Sequence, residues 1–190
     1  EDELGTYLVK LSRQNLSVHD SHTLSIVLHC IGVFERISDH AINIMEAAQE
    51  MHNKKLTFSP KAEEELKVFS RAVQDIVEKA YAVFRDQDEK LAQKVEPLEA
   101  VVDDLNQEVK KRHIRRLRNG KCTIELGFIL SDITTSLERV ADHCSNIAVC
   151  VTQVRDDTYD THGYLNSVKN EDSEIFRGLV LEAEEKYLLP

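Results

Sequence analysis

Two ten-residue stretches place acidic, basic and imidazole side chains at matching positions. Glu35-Arg36-Ile37-Ser38-Asp39-His40-Ala41-Ile42-Asn43-Ile44 returns as Glu138-Arg139-Val140-Ala141-Asp142-His143-Cys144-Ser145-Asn146-Ile147, an offset of 103 residues from Asp39 to Asp142. Six of the ten positions are identical and five of those six are polar, which coincidence explains poorly. In each copy Glu and Asp stand four apart, one turn from each other on one side of a helix. Like charges in that relation cost a helix a few tenths of a kcal/mol, and a bound cation turns the repulsion into coordination. Sites made of carboxylates suit ions that prefer oxygen, such as Mg, Mn, Ca or Fe. A third pair, Glu99 and Asp103, has the same spacing. If its helix packs antiparallel on the one that holds the second copy, then Glu99, Asp103, Glu138 and Asp142 converge as four carboxylates able to bind more than one ion. A single such pair is ordinary solvated helix surface; the repetition is what argues for more.

Apolar periodicity supplies the helices that must hold these groups. Leu4, Leu8 and Leu11 mark a short first helix without a capping residue. A long helix follows over about 19–51, with Leu24, Val27, Ile31, Phe34, Ile37, Ala41, Ile44, Ala48 and Met51 as its inward stripe. Ser59-Pro60 opens a third helix that ends near Arg85. A helix from Pro97 to Arg118 stops at Asn119-Gly120. A second long helix covers about 123–153 through Leu126, Leu130, Ile133, Leu137, Val140, Cys144, Ile147 and Val151, then a polar stretch over 155–163, then an amphipathic helix over about 171–187. On these wheels Glu35 and Asp39 lie roughly 90–130° from the centre of their stripe, and Glu138 and Asp142 roughly 140–180°, so both pairs are expected on outer or shoulder positions. The expectation is an all-α chain of two pseudo-repeated three-helix bundles with antiparallel helices, the first repeat over 1–85 and the second, with the C-terminal helix, over 86–190.

Composition narrows the function. The chain has 190 residues, 42% hydrophobic and 31% charged, with a net charge of −10, six Gly, three Pro and no Trp. That composition fits a folded helical protein, and the acidity disfavours nucleic-acid backbones. Cys30, Cys144 and Cys150 fall within long helices as small apolar residues, and none of the four cysteines forms a C-x-x-C pair. No run approaches the length of a bilayer span, and no signal peptide is visible. The basic run Lys110–Arg118 ends a helix, where cations complement the dipole; a contact to anionic lipid or to an acidic partner is the alternative. Catalytic patterns are missing: no phosphate-binding Gly loop, no H-E-x-x-H, and no Glu-x-x-His pairs of a di-iron bundle. The reading is a binding or regulatory chain, not an enzyme. A plain helical scaffold without metal stays open, as does homo-oligomerisation.

The repeated E-R-x-x-D-H-x-x-N-I, preceded by a Glu-x-x-x-Asp pair on the adjacent helix, resembles the signature of the PhoU family over essentially the whole chain. That resemblance implies a regulator of phosphate uptake. It also implies multinuclear Fe or Zn clusters, with Mn a further option, at Glu99, Asp103, Glu138, Asp142, Glu35 and Asp39. The opening Glu1-to-Ser12 segment and Tyr164-Leu165 are similar to the cytoplasmic PhoU-like C-terminal domain of bacterial sodium/phosphate cotransporters, which implies a membrane-embedded transporter domain or phosphate-signalling proteins as partners and a place on the cytoplasmic side of the membrane. The first-repeat counterpart of Glu99 and Asp103 would fall just before Glu1, so the Glu35/Asp39 site is expected to be incomplete.

Overall fold

The computed structural model describes residues 1–155 and 174–190. Among them are seven helices and no strand: α1 (Asp2–Leu11), α2 (Val18–Lys54), α3 (Pro60–Asp86), a single turn α4 (Glu89–Ala92), α5 (Val95–Arg118), α6 (Ile124–Arg155) and α7 (Glu174–Lys186). Local chemistry sets the ends. Ser17 caps α2 by accepting from the Asp20 N–H, and Ser59 caps α3 by accepting from Ala62 N–H, with Pro60 in the first turn where its missing donor costs nothing. Asp88 accepts from both Lys90 and Leu91 at α4. Lys55 and Gln87 end α2 and α3 in the left-handed region, at φ 53° and 51°. After α5 the chain turns at Gly120, whose φ of 63° is costly for a residue with a Cβ.

Helix α6 is the axis of the molecule, packed against α2, α3 and α5. It runs antiparallel to α2, since Lys54 at the end of α2 bonds Glu125 at the start of α6 (2.6 Å) while His40 meets His143 further along. It also runs antiparallel to α5: Lys110 donates to Thr135, and Ser145 donates to Glu96. One continuous core joins Phe69, Ile76 and Val83 of α3, Val95, Val102 and Val109 of α5, and Leu130, Ile147 and Val151 of α6. The start of α3 is locked to the end of α5 by the buried Glu65, which takes two bonds from Arg116 (2.8 and 3.0 Å) and one from Arg112. Removing that carboxylate would leave the mostly buried Arg116 guanidinium without its partner, a loss of about 3 kcal/mol, while Arg112 keeps Glu108. Helix α7 lies on α5 and is tied to α3 at Asp75, which accepts from Tyr187 (2.7 Å) and Lys186 (2.9 Å). Packing of α3 on α5 and α6 thus crosses the boundary at residues 85 and 86.

Two features of the helical wheels need correction. On α2 the buried positions are Ile26, Cys30, Val33 and Ala47, while Ala41 and Ala48, expected inside, are exposed. The seam facing α6 passes through Ile37, His40 and Ile44, so a histidine occupies a place that the apolar stripe assigned elsewhere. On α6 the expected stripe is buried except at Ile133, which is half-buried, and Ala141, Ser145, Ala148 and Val149 are buried as well. A wheel assumes one buried face; α6 has neighbours on three sides, and its outer positions are shielded by α5. The polar stretch expected after Arg155 and the first residues of the last expected helix lie outside the described residues.

Candidate metal centre

The antiparallel register of α5 and α6 sets Glu99 and Asp103, one turn apart, opposite Asp142. One carboxylate oxygen from each of the three lies within 4.8 Å of the others. Glu99 is 7% exposed, and Asp103 and Asp142 are half-buried. Glu99 reaches this depth because the first turns of α5, from Val95 to Val102, are buried on nearly every side. Glu138, a turn before Asp142, stands beside the group. Burial first, then the charges of Asp142 and Asp103, push its pKa above the ordinary glutamate value, against an opposing pull from Arg139. That upward push is what partial burial beside like charges does to a carboxylate.

Arg139 bonds Asp142 at 3.1 Å and approaches Glu138 at 3.7 Å, so it serves the acids of its own helix. Among the described residues Arg139 pairs with no acid of another helix. The donor set is oxygen only, anionic and partly dehydrated. It fits a hard or borderline divalent ion, since burying acidic oxygens in such density is costly without a counter-charge.

The first copy is different. Glu35 and Asp39 are exposed. Their neighbour is the Glu1 side chain, which hydrogen-bonds Glu35 and raises its pKa, with the charges of Glu1 and then Asp39 adding to the effect. No buried carboxylate comparable to Glu99 joins them among the described residues. The structure therefore brings Glu99, Asp103 and Asp142 together, with Glu138 at their edge, and leaves Glu35 and Asp39 in a separate place.

Between the two acidic regions the motif copies touch. His40 and His143 stack with ring centroids 5.6 Å apart, and the Nδ1 of each is buried without a hydrogen-bond partner. Burial, then His40, then Arg36 lower the pKa of His143. The two histidines sit at the α2–α6 interface. Asn43 and Asn146 are both exposed, and their side chains form no hydrogen bond with a described residue.

Glu96 is the residue that spacing arguments missed. It is 5% exposed, lies one turn before Glu99, and accepts from Ser145 of α6. Its i, i+3 relation to Glu99 was visible, but an acid beside Pro97 at a helix start reads as dipole complement, and nothing local says that this start is buried.

Residues 66–151 match the PhoU domain. The matched stretch covers most of α3 together with α5 and α6 through Val151, the helices that carry the carboxylate group and share the core. The chain is also 26% identical, over 137 residues, to the phosphate-specific transport system accessory protein PhoU homolog 1 of Thermotoga maritima. That alignment takes in 72% of this chain and 58% of the relative, so less than two thirds of the relative's length is represented. No solved structure matches the chain.

Proposed function

We propose that this chain is a PhoU-type regulator of phosphate transport, and specifically the cytoplasmic regulatory domain of a sodium-dependent phosphate cotransporter. The observation that carries the regulatory reading is the PhoU match over α3, α5 and α6, with Glu99, Asp103 and Asp142 gathered where α5 meets α6. The cotransporter assignment rests on the likeness of the Glu1-to-Ser12 segment and of Tyr164-Leu165 to such domains. Its partner is then a membrane-embedded transporter domain, and nucleic acid plays no part. The name of the Thermotoga relative favours a second reading, a free-standing accessory regulator of phosphate uptake. Among the described residues no helix is long and apolar enough to cross a membrane, which suits both.

In this reading Glu99, Asp103, Glu138 and Asp142 hold Fe, Zn or Mn. A bound ion supplies the positive charge that Arg139 supplies only in part. The chain's own contribution is to hold the four acids in place: Glu99 by burial under the core, Asp142 by its bond from Arg139. Metal occupancy would fix α5 against α6 and so alter how this domain docks on its transporter.

Phosphate uptake measured with and without external sodium, in cells lacking this chain and in cells carrying it, separates the readings. Altered control of sodium-dependent uptake supports the cotransporter domain. A change confined to sodium-independent uptake supports the accessory regulator, and unchanged uptake in both conditions defeats both.

A further inference from the structure

The corner where α5 turns into α6 has a chemistry unlike the rest of the molecule. Between Lys110 and Phe128 the chain carries seven Lys or Arg and a single acid, Glu125, within a protein of net charge −10. Several of these groups are already engaged. Arg112 and Arg116 hold Glu65, Lys111 and Arg112 meet Glu108, Lys110 donates to Thr135, and Glu125 is bonded to Lys54. Arg115, Arg118 and Lys121 are exposed and pair with no carboxylate among the described residues.

Beside these cations stand apolar side chains that the core does not use. Ile124 is 73% exposed, Phe128 69% and Ile114 49%. They border a cleft of about 320 Å³ between α5 and α6, backed by Leu117 and Gly127. Gly127 keeps the two helices close there, since a Cβ would come within 3.3 Å of the His113 ring. Ile124 and Phe128 are four apart, so both extend from one side of the first turns of α6. Large apolar side chains standing in water beside unpaired cations are the combination that lets a surface enter a headgroup layer: rings and branched chains sink below it while Lys and Arg stay at phosphate level.

We propose that this corner is a docking surface for an anionic bilayer, with Ile114, Ile124 and Phe128 inserting and Arg115, Arg118 and Lys121 contacting lipid phosphates. Charge selects this occupant and its orientation. The rest of the chain is strongly acidic and repelled by a negative surface, so only this corner approaches it, and the carboxylate group formed by Glu99, Asp103 and Asp142 is not involved. The inference is independent of whether those acids hold metal and of which transporter, if any, the chain regulates.

The test is co-sedimentation of the full chain with vesicles of phosphatidylcholine alone, and of equal parts phosphatidylcholine and phosphatidylglycerol. Binding is expected to the second only, and to fade as salt is raised. Each unpaired cation is worth about fivefold in partitioning near an anionic surface, so Arg118→Ala with Lys121→Ala should weaken binding by about twenty-fivefold. Phe128→Ser should weaken it by about tenfold or more. Because all three positions are exposed, the variants should keep wild-type helicity by circular dichroism. No binding to the anionic vesicles overturns the proposal and leaves the corner to an acidic protein partner. Binding that is indifferent to phosphatidylglycerol, or unchanged in well-folded variants, overturns it as well.

Discussion

The two copies of the repeated motif share six of ten residues and yet sit in different surroundings. On α6 the copy is packed against three helices, and its Asp142 meets the buried Glu99 and half-buried Asp103. On α2 the copy has α6 on one side, and its Glu35 and Asp39 are exposed beside Glu1. The same side chains thus form a dense carboxylate group in one place and a solvated surface in the other. A motif supplies donors, but the neighbouring helix supplies the remaining donors and removes the water. The comparison therefore predicts that equivalent substitutions at the two copies will have unequal effects.

The largest difference should be in metal content. With Mn, Fe(II) or Zn added separately and excess removed, elemental analysis is expected to find bound metal in the wild type and in Glu35→Gln/Asp39→Asn. None is expected in Glu138→Gln/Asp142→Asn at unchanged helicity. Equal loss in both double variants would mean that the copies are equivalent after all. Absence of metal from the wild type under every condition would remove the metal reading and leave the acids as an electrostatic feature of the α5–α6 contact.

Stability should follow the same asymmetry. Ile147 is fully buried, whereas its counterpart Ile44 is half-buried at the edge of the core. Truncating a fully buried isoleucine to alanine costs about 2–5 kcal/mol, through lost transfer energy and the cavity left behind. Ile147→Ala should fall in that range and Ile44→Ala well below it, at about 1 kcal/mol, by urea denaturation. Similar values for the two would show that α2 is more firmly held than its exposure implies.

Much of this arrangement was legible before the fold was known. The Ser-Pro cap, the Asn-Gly stop and the apolar stripe of α6 each reflect physics local to one helix, and the structure has all three. The repeat and the Glu99/Asp103 pair were visible as spacing, and the family match lies over the second copy. What failed involved more than one helix. The α2 stripe was placed on Ala41 and Ala48, because alanine counts as apolar in any pattern and only a partner decides which face is covered. Glu138 and Asp142 were read as outward, although α5 lies over them. Glu96 could not be recognised because its burial depends on the packing of α3 and α6 around the start of α5.

The smallest expected effect concerns pH and separates the copies by burial alone. In the metal-free chain Glu138 has a raised pKa, caused first by burial and then by Asp142 and Asp103. The folded state therefore holds this proton more tightly than the unfolded chain does. Between the ordinary glutamate value and the raised one, the native state binds more protons, so stability falls as pH rises through that window. Below the window Glu138 is protonated in both states, and Glu138→Gln should leave stability unchanged. Above it the wild type keeps an ionised carboxylate among other acids, and Glu138→Gln should stabilise the metal-free protein by a few tenths of a kcal/mol, the scale of a like-charge pair one helical turn apart. Thermal denaturation of both proteins in chelator, at pH 4 and pH 7, measures the difference. Added salt should narrow the gain at Glu138 less than any gain from Glu35→Gln, because Glu35 is exposed and open to screening. If salt abolishes both gains alike, Glu138 is as solvated as Glu35 and the carboxylate group on α6 is not the shielded one.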